Sequence, residues 1–290
     1  METISEPLWT TERFERQSSL STGIPGAGIE PFYFGADKKR LFGCYHAPQS
    51  GIRRDCAVIL CYPMAQEYIR SHRTYRQLAY HLSKFGFPVL RFDFYGCGDS
   101  EGNCEEGRIP QWLTDVGSAI SEVRERRGLV KVCLVGLRLG GTLSMMVAAE
   151  RGDIEGIVLW NPVLSGSVYI EELTTLHRER ARHSLGKATQ GSVTESPTEV
   201  LGFPLTDLLL TDLQKIDLLS IRQKPANRIL VITSSEESTQ GRLIGHLKGL
   251  NGNVDYQHVP SPEIWIEKNK TVVPNDILKA VVTWICRVYP

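Results

Sequence analysis

The sequence has no excess charge of either sign, because its 290 residues carry 33 Lys and Arg against 33 Asp and Glu. Proteins that bind nucleic acid or an anionic membrane are usually basic, so the balance favours neither class of partner. Long hydrophobic runs are also missing, and the longest, 57–61 and 277–286, are shorter than the ~18 residues that cross a bilayer. The first residues lack the basic and apolar regions of a secretory signal, so we expect a cytoplasmic chain without a transmembrane helix.

Cysteine is present without a recognisable pattern. The seven cysteines are odd in number, contain no C-x-x-C pair and lie mostly in apolar runs. They favour neither a disulfide framework nor a zinc ribbon, and we expect reduced thiols in the core. No motif for a metal or an organic cofactor is present, so we predict none.

The hydrophobic pattern alternates between strand-like and helix-like segments. Two short aromatic runs, 31–35 and 40–46, flank a turn and predict an antiparallel hairpin at a sheet edge. The strands that follow are predicted at 57–62, 87–92, 130–135, 154–160, 228–233 and 254–259, and the helices between and after them at 71–85, 111–126, 139–149, 240–250 and 275–288. This order predicts an α/β fold with a mostly parallel sheet of about eight strands and helices on both faces.

The alternation is interrupted once, between the strands predicted at 154–160 and 228–233. Residues 161–225 contain a charged amphipathic helix at 168–185, a polar stretch at 186–198 and a second helix at 205–219. Tyr169, Leu173 and Leu176 form the predicted buried stripe of the first helix, and its mixed charges, including Glu172, form the predicted solvated face. We therefore predict an arm at 1–28, a core at 29–160 and 226–290, and a helical cap insertion at 161–225.

Several motifs together resemble the α/β hydrolases of the serine aminopeptidase and lysophospholipase type. The turn G-L-R-L-G at 136–140 lies where those enzymes have G-x-S-x-G, residues 93–100 resemble their D-x-x-G-x-G-x-S loop, and residues 62–67 replace their H-G-x-G loop. The segments 160–166 and 202–206 resemble the exosortase-associated branch, whose elbow can also read G-L-R-L-G. The resemblance covers about residues 30 to 288 and implies an α/β-hydrolase fold with esterase or thioesterase chemistry.

The residues that would form a catalytic triad depart from this family's pattern. Arg138 takes the nucleophile's position, and a guanidinium has no lone pair with which to attack a carbonyl. The resemblance implies Glu236 or Glu237 as the acid. The loop in which the family has its histidine contains none, and the nearest is His258. A conventional Ser-His-Asp mechanism therefore cannot be assembled.

Arg138 suggests anion recognition instead. The resemblance places the oxyanion donors at the backbone N–H groups of Leu139 and Met64, and we include Tyr62, Gln66 and Glu67 among the candidate substrate-binding residues. A guanidinium beside a helix N-terminus can receive a carboxylate, phosphate or acyl oxygen. The alternative is that Arg138 pairs internally with a carboxylate, for which the candidates are Glu67, Asp93 and Glu236.

Three functions remain open on the sequence. The first is an enzyme that acts on an ester, thioester or amide, in which Arg138, Glu236 and His258 take part and a positioned water attacks. The second is a non-hydrolytic acyl-processing enzyme or lyase. The third is a pseudo-hydrolase that binds a ligand or serves as a scaffold. In each case the expected partner is a small acyl or carboxylate compound, free or linked to CoA or a carrier.

Overall fold

The computed structural model describes residues 28–52, 54–185, 199–234, 239–266 and 272–290. The predicted arm lies outside this part of the chain except for Gly28. The strands are β1 (Ile29–Phe34), β2 (Leu41–His46), β3 (Cys56–Cys61), β4 (Val89–Phe92), β5 (Lys131–Leu137), β6 (Gly156–Trp160), β7 (Glu199–Val200), β8 (Phe203–Pro204), β9 (Arg228–Thr233) and β10 (Val254–His258). The helices are α1 (Ala65–Lys84), α2 (Ile109–Arg127), α3 (Leu139–Arg151), α4 (Gly166–Leu185), α5 (Asp207–Gln214), α6 (Thr239–Gly249) and α7 (Asn275–Val288).

Eight strands form one mostly parallel sheet, as the alternating pattern predicts. Their order is β1-β2-β4-β3-β5-β6-β9-β10. The pairs β1–β2 and β2–β4 are antiparallel, and the remaining neighbours are parallel. The predicted hairpin is therefore confirmed, and it forms the antiparallel edge. All carboxyl ends of the parallel strands point to one side of the sheet, which is where ligands bind in open α/β folds.

The core consists of two hydrophobic clusters, one on each face of the sheet. Alternate residues of β3 point to opposite clusters, so that Ile59 faces one and Leu60 the other, and both are fully buried. Helices α1 and α7 cover the second face, whereas α2, α3 and α6 cover the first. Full burial of each such aliphatic side chain contributes roughly 1.5–3 kcal/mol, which explains why the central strands are continuously apolar although they are short.

Two helices differ from their predicted lengths by more than three residues. Helix α1 begins at Ala65 rather than at residue 71. Polar residues in its first turns obscure the helical spacing of the apolar residues there. Helix α5 is shorter than the predicted 205–219. The Thr206 side chain caps its start, and Lys215 is the cap residue at its C-terminal end. A separate 3-10 turn follows at Leu218–Ser220, where the Asp217 carboxylate accepts the Leu219 N–H.

The segment 161–225 contains α4, the short β7–β8 pair and α5. Its polar stretch at 186–198 lies outside the described residues, and its function as a cap stays a prediction. An ion pair holds α5 to the core, since Arg108 Nε lies 2.5 Å and Nη2 lies 3.1 Å from the two Asp212 oxygens. Within the described ranges no helix combines the length and the apolar character that a bilayer-spanning segment needs.

Candidate functional site

The turn from β5 to α3 places Arg138 at the carboxyl edge of the sheet. Its φ of 52° and ψ of −124° lie in a region that non-glycine residues avoid at a cost of about 1–3 kcal/mol. The flanking glycines allow the turn, because a Cβ on Gly136 would lie 2.3 Å from Gly140 C and one on Gly140 would lie 2.1 Å from Cys61 O. The sequence thus keeps a strained elbow and places a buried cation at its central position.

The Arg138 guanidinium is paired with two carboxylates from different elements. Its Nε lies 3.2 Å from Glu67 Oε1 on α1, and its Nη2 lies 2.5 Å from Glu172 Oε2 on α4. The side chains of Arg138 and Glu67 are 10% and 5% exposed, whereas that of Glu172 is 41% exposed. The internal pairing foreseen as an alternative therefore exists, with Glu67 as the buried partner and Glu172 as the accessible one.

Two aromatic rings contact the guanidinium. The Arg138 Cζ atom lies 5.4 Å from the Tyr169 ring centroid and 5.3 Å from that of Trp265, within the range of cation–π attraction. The Tyr169 hydroxyl also donates to Glu67 Oε2 at 2.8 Å. Because Glu67 receives a hydrogen bond on each oxygen, its burial is compensated. We call Arg138, Glu67, Glu172, Tyr169 and Trp265 the Arg138 cluster.

The electrostatics of the cluster keep the guanidinium charged. Burial alone would lower the pKa of Arg138, but Glu67 and Glu172 outweigh burial and raise it above its ordinary value. Burial raises the pKa of Glu67, and the attraction of Arg138 and the Tyr169 hydrogen bond oppose that rise. Burial also raises the pKa of Tyr169, so that its hydroxyl stays a donor. The site thus has a permanent cation and no nucleophile at the elbow.

A cavity of about 550 Å³ borders the Arg138 cluster, and we call it the Arg138 cavity. Its volume falls within the range typical of small-molecule sites. The cavity lies between the start of the 161–225 segment, which follows β6, and the first turn of α6, which follows β9. The described residues that line it are Arg138, Asn161, Pro162, Val163, Leu164, Ser165, Val168, Tyr169, Glu172, Asp217, Leu219, Gln240, Arg242, Glu263 and Trp265.

The predicted oxyanion residues lie around the Arg138 cluster. Leu139 is the first residue of α3 and is buried. Met64 precedes α1 and borders a second cavity, on the α2 side. Gln66 is half-buried in the first turn of α1. Tyr62 is fully buried, and its hydroxyl accepts a hydrogen bond from Arg91 at 3.0 Å. Of the predicted substrate-binding residues, Glu67 is the one that the structure joins directly to Arg138.

The remaining triad candidates are not brought to Arg138 by any described contact. Glu236 and Glu237 lie outside the described residues. His258 ends β10, and its Nδ1 lies 3.3 Å from Thr233 Oγ1. Asp93 accepts hydrogen bonds from the Tyr68 hydroxyl and the Asp99 N–H. Catalytic roles for Glu236 and His258 therefore stay predictions.

Sequence reasoning missed two members of the Arg138 cluster. Glu172 was assigned to the solvated face of its helix, and it is indeed accessible, but it turns toward the elbow to pair with Arg138. Trp265 follows the last strand in a segment without a periodic pattern. Tyr169 was correctly predicted to be buried. Across the described ranges, no group of three or more His, Cys, Asp or Glu side chains is placed to hold a metal ion.

Comparison with known proteins relates the chain to hydrolases. A family model described as serine aminopeptidase, S33, matches residues 64–201. The mitochondrial palmitoyl-protein thioesterase ABHD10 of Homo sapiens is 38% identical over 68 residues, which is 23% of this chain and 21% of that protein. The protein of the same name from Mus musculus is 37% identical over 68 residues, covering 23% of this chain and 22% of its own length. The match thus spans about a fifth of these curated relatives.

Solved structures share the architecture over nearly the whole chain. The esterase Pf2001 of Pyrococcus furiosus has a TM-score of 0.62 at 16% identity and covers 93% of this chain and 96% of its own. Est1E of Butyrivibrio proteoclasticus, solved with ferulic acid bound, has a TM-score of 0.59 at 15% identity and covers 88% and 97%. At such identities the likeness concerns the fold alone. The fold is that of the α/β hydrolases, as the motifs imply.

Proposed function

We propose that this chain is a hydrolase-fold protein that binds an acyl or carboxylate-bearing small molecule in the Arg138 cavity without nucleophilic catalysis at the elbow. The observation that carries the proposal is the Arg138 guanidinium at the strained elbow, paired with Glu67 and Glu172 at the edge of a 550 Å³ cavity. A guanidinium cannot attack an acyl carbon, but it can hold an anion through two parallel N–H donors.

The unequal exposure of the two carboxylates indicates how an anion would enter. Glu67 is buried and bonded to the Tyr169 hydroxyl, whereas Glu172 is 41% exposed. A ligand carboxylate can therefore take the place of Glu172 on the guanidinium while Glu67 stays bound. The exchange preserves the charge around Arg138, so it avoids the cost of a buried charge without a partner.

The substrate class is supported by the names of the relatives. Palmitoyl-protein thioesterases and esterases act on acyl groups by their descriptions. We propose the same chemical class, an acyl or carboxylate compound, free or linked to CoA or a carrier, for this chain. The exosortase-associated branch and a cytoplasmic location stay predictions. Water-mediated hydrolysis and a lyase reaction are the outcomes that would replace the binding function.

The proposal is tested by ligand binding and turnover in one preparation. Octanoate or octanoyl-CoA is added to the protein in increasing concentration while its intrinsic tryptophan fluorescence is recorded. Trp265 should report binding because its ring lies against the Arg138 guanidinium. The test variant is Arg138→Met combined with Glu67→Gln, which removes the cation and its buried partner together. We expect at least about tenfold weaker binding, because a charged hydrogen bond contributes about 1.5–3 kcal/mol.

Turnover separates the proposal from its alternatives. A fluorophosphonate probe should not label the wild-type protein. The wild-type protein should also hydrolyse p-nitrophenyl octanoate no faster than the double variant does. Covalent labelling would reveal a serine nucleophile elsewhere and contradict the proposal. Hydrolysis that persists in Arg138→Met but is lost on Glu67→Gln alone would favour water-mediated catalysis. Unchanged octanoate affinity in the double variant would remove Arg138 from the binding site.

A further inference from the structure

A second cavity lies on the other side of Glu67. It has a volume of about 420 Å³ and is bordered by the start of α1, the loop before α2, and the β8–α5 region. Trp112 and Met64 line it from the core, and Phe203 and Leu209 line it from the 161–225 segment. We call it the Trp112 cavity. Glu67 lies between the two cavities, since its helix neighbours Met64 and Tyr68 border this one and its partner Arg138 borders the other.

The two cavities differ in chemistry. Five charged side chains line the Arg138 cavity. Among the described residues that line the Trp112 cavity there is no charged side chain, and the polar groups are an asparagine, a tyrosine and the thiols of Cys97 and Cys104. An ion in this cavity would lose its hydration without gaining a partner, whereas an apolar group would lose only unfavourable contact with water.

The walls of the Trp112 cavity are fixed by polar contacts outside it. The Trp112 indole N–H donates to Tyr95 O at 3.0 Å. One turn of helix away, the Arg108–Asp212 pair holds α5, and therefore Leu209, against α2. An apolar cavity normally destabilises a protein and tends to collapse. Here the flanking hydrogen bonds fix the positions of the walls, so a ligand would meet a preformed site with a small ordering cost.

We infer that the Trp112 cavity is a second binding site, which takes an uncharged apolar group the size of a bicyclic aromatic compound. The inference is independent of the function proposed for the Arg138 cavity, because it needs neither Arg138 nor an anion. The site contacts both the core and the 161–225 segment, so its ligand stabilises the packing of α5 on α2. Binding to the folded state alone also raises the melting temperature, and the rise increases with the logarithm of the ligand concentration above the Kd.

Two matched probes and two matched variants test the site. N-phenylnaphthylamine is uncharged, and anilinonaphthalene sulfonate is the same ring system with an added sulfonate. Ile69, which is 50% exposed, lies at the rim of the Trp112 cavity, and Val168, which is 63% exposed, lies at the rim of the Arg138 cavity. Ile69→Trp and Val168→Trp therefore add the same bulk at each rim without disturbing buried residues.

We expect the wild-type protein to bind the uncharged probe at least tenfold more tightly than the sulfonate at this site. Ile69→Trp should weaken binding of the uncharged probe at least tenfold, and Val168→Trp should leave it unchanged. Equal effects of the two variants, or equal affinity for the two probes in both variants, would overturn the inference. Unchanged melting temperatures of the free variants confirm that both are folded.

Thiol labelling locates the probe without a mutation. Cys44, Cys97 and Cys104 are all half-buried, but the latter two line the Trp112 cavity. Saturating N-phenylnaphthylamine should slow alkylation of Cys97 and Cys104 by N-ethylmaleimide at least threefold and leave that of Cys44 unchanged. Equal protection of all three thiols, or protection of none, would place the probe elsewhere and contradict the inference.

Discussion

Replacement of Arg138 by Met should destabilise the protein by about 3–5 kcal/mol at pH 8, the cost of removing one partner from a buried ion pair. Met keeps an unbranched side chain next to the Tyr169 and Trp265 rings, so the change acts mainly on charge. Glu67 would be left buried at 4% exposure with the Tyr169 hydroxyl as its described donor. Glu172 can turn to solvent, and its loss should add at most about 1 kcal/mol.

The size of this effect should depend on pH in a direction set by Glu67. This penalty appears as a raised pKa of Glu67 in the variant, because a buried carboxylate without a cationic partner favours its neutral form. An acid whose pKa is raised by folding loses stability as the pH rises above its unfolded value of about 4.3. The difference between wild type and Arg138→Met should therefore shrink to about 1 kcal/mol near pH 4.5.

Urea unfolding at pH 8 and 4.5 measures both quantities, and a second substitution completes a double-mutant cycle. Adding Glu67→Gln to Arg138→Met removes the stranded charge and should recover most of the lost stability. The accessible pair between Arg124 and Asp153 is the control, and Arg124→Met should cost no more than about 1 kcal/mol. Equal destabilisation at both pH values, or a double variant no more stable than Arg138→Met, would refute a buried charge pair at the elbow.

Three further predictions concern the cavity, the core and the turn. Glu172→Gln should tighten octanoate binding by up to about fivefold by removing the competing charge, whereas the exposed neighbour Glu171→Gln should not, as titration calorimetry would show. Burial raises the pKa of Asp115 to about 6, so wild-type stability should fall relative to Asp115→Asn as the pH rises from 4 to 6, by about 2 kcal/mol in urea titrations. Gly140→Ala should lower the melting temperature through a backbone clash that costs at least about 2 kcal/mol, whereas Gly117→Ala, which meets no atom within 4 Å, should raise it.

The sequence determined the local elements and the class of fold. Apolar runs such as β3 need burial on both faces, and the alternation with helices predicts a parallel sheet without reference to any contact. The glycines around Arg138 likewise predict the tight turn, because a side chain there would collide with backbone atoms. These features depend on residues near one another in the chain, and their geometry follows from local sterics.

Only the tertiary structure decided what Arg138 does. Glu67, Glu172 and Trp265 lie on α1, α4 and the segment after β10, and no periodic pattern relates their positions. The helical pattern of α4 correctly placed Glu172 on an accessible face, but it could not show which neighbouring element that face approaches. The pairing is set by the long-range packing of whole elements, whose energy is spread over many buried contacts, whereas a sequence pattern reports only which side of each element is buried.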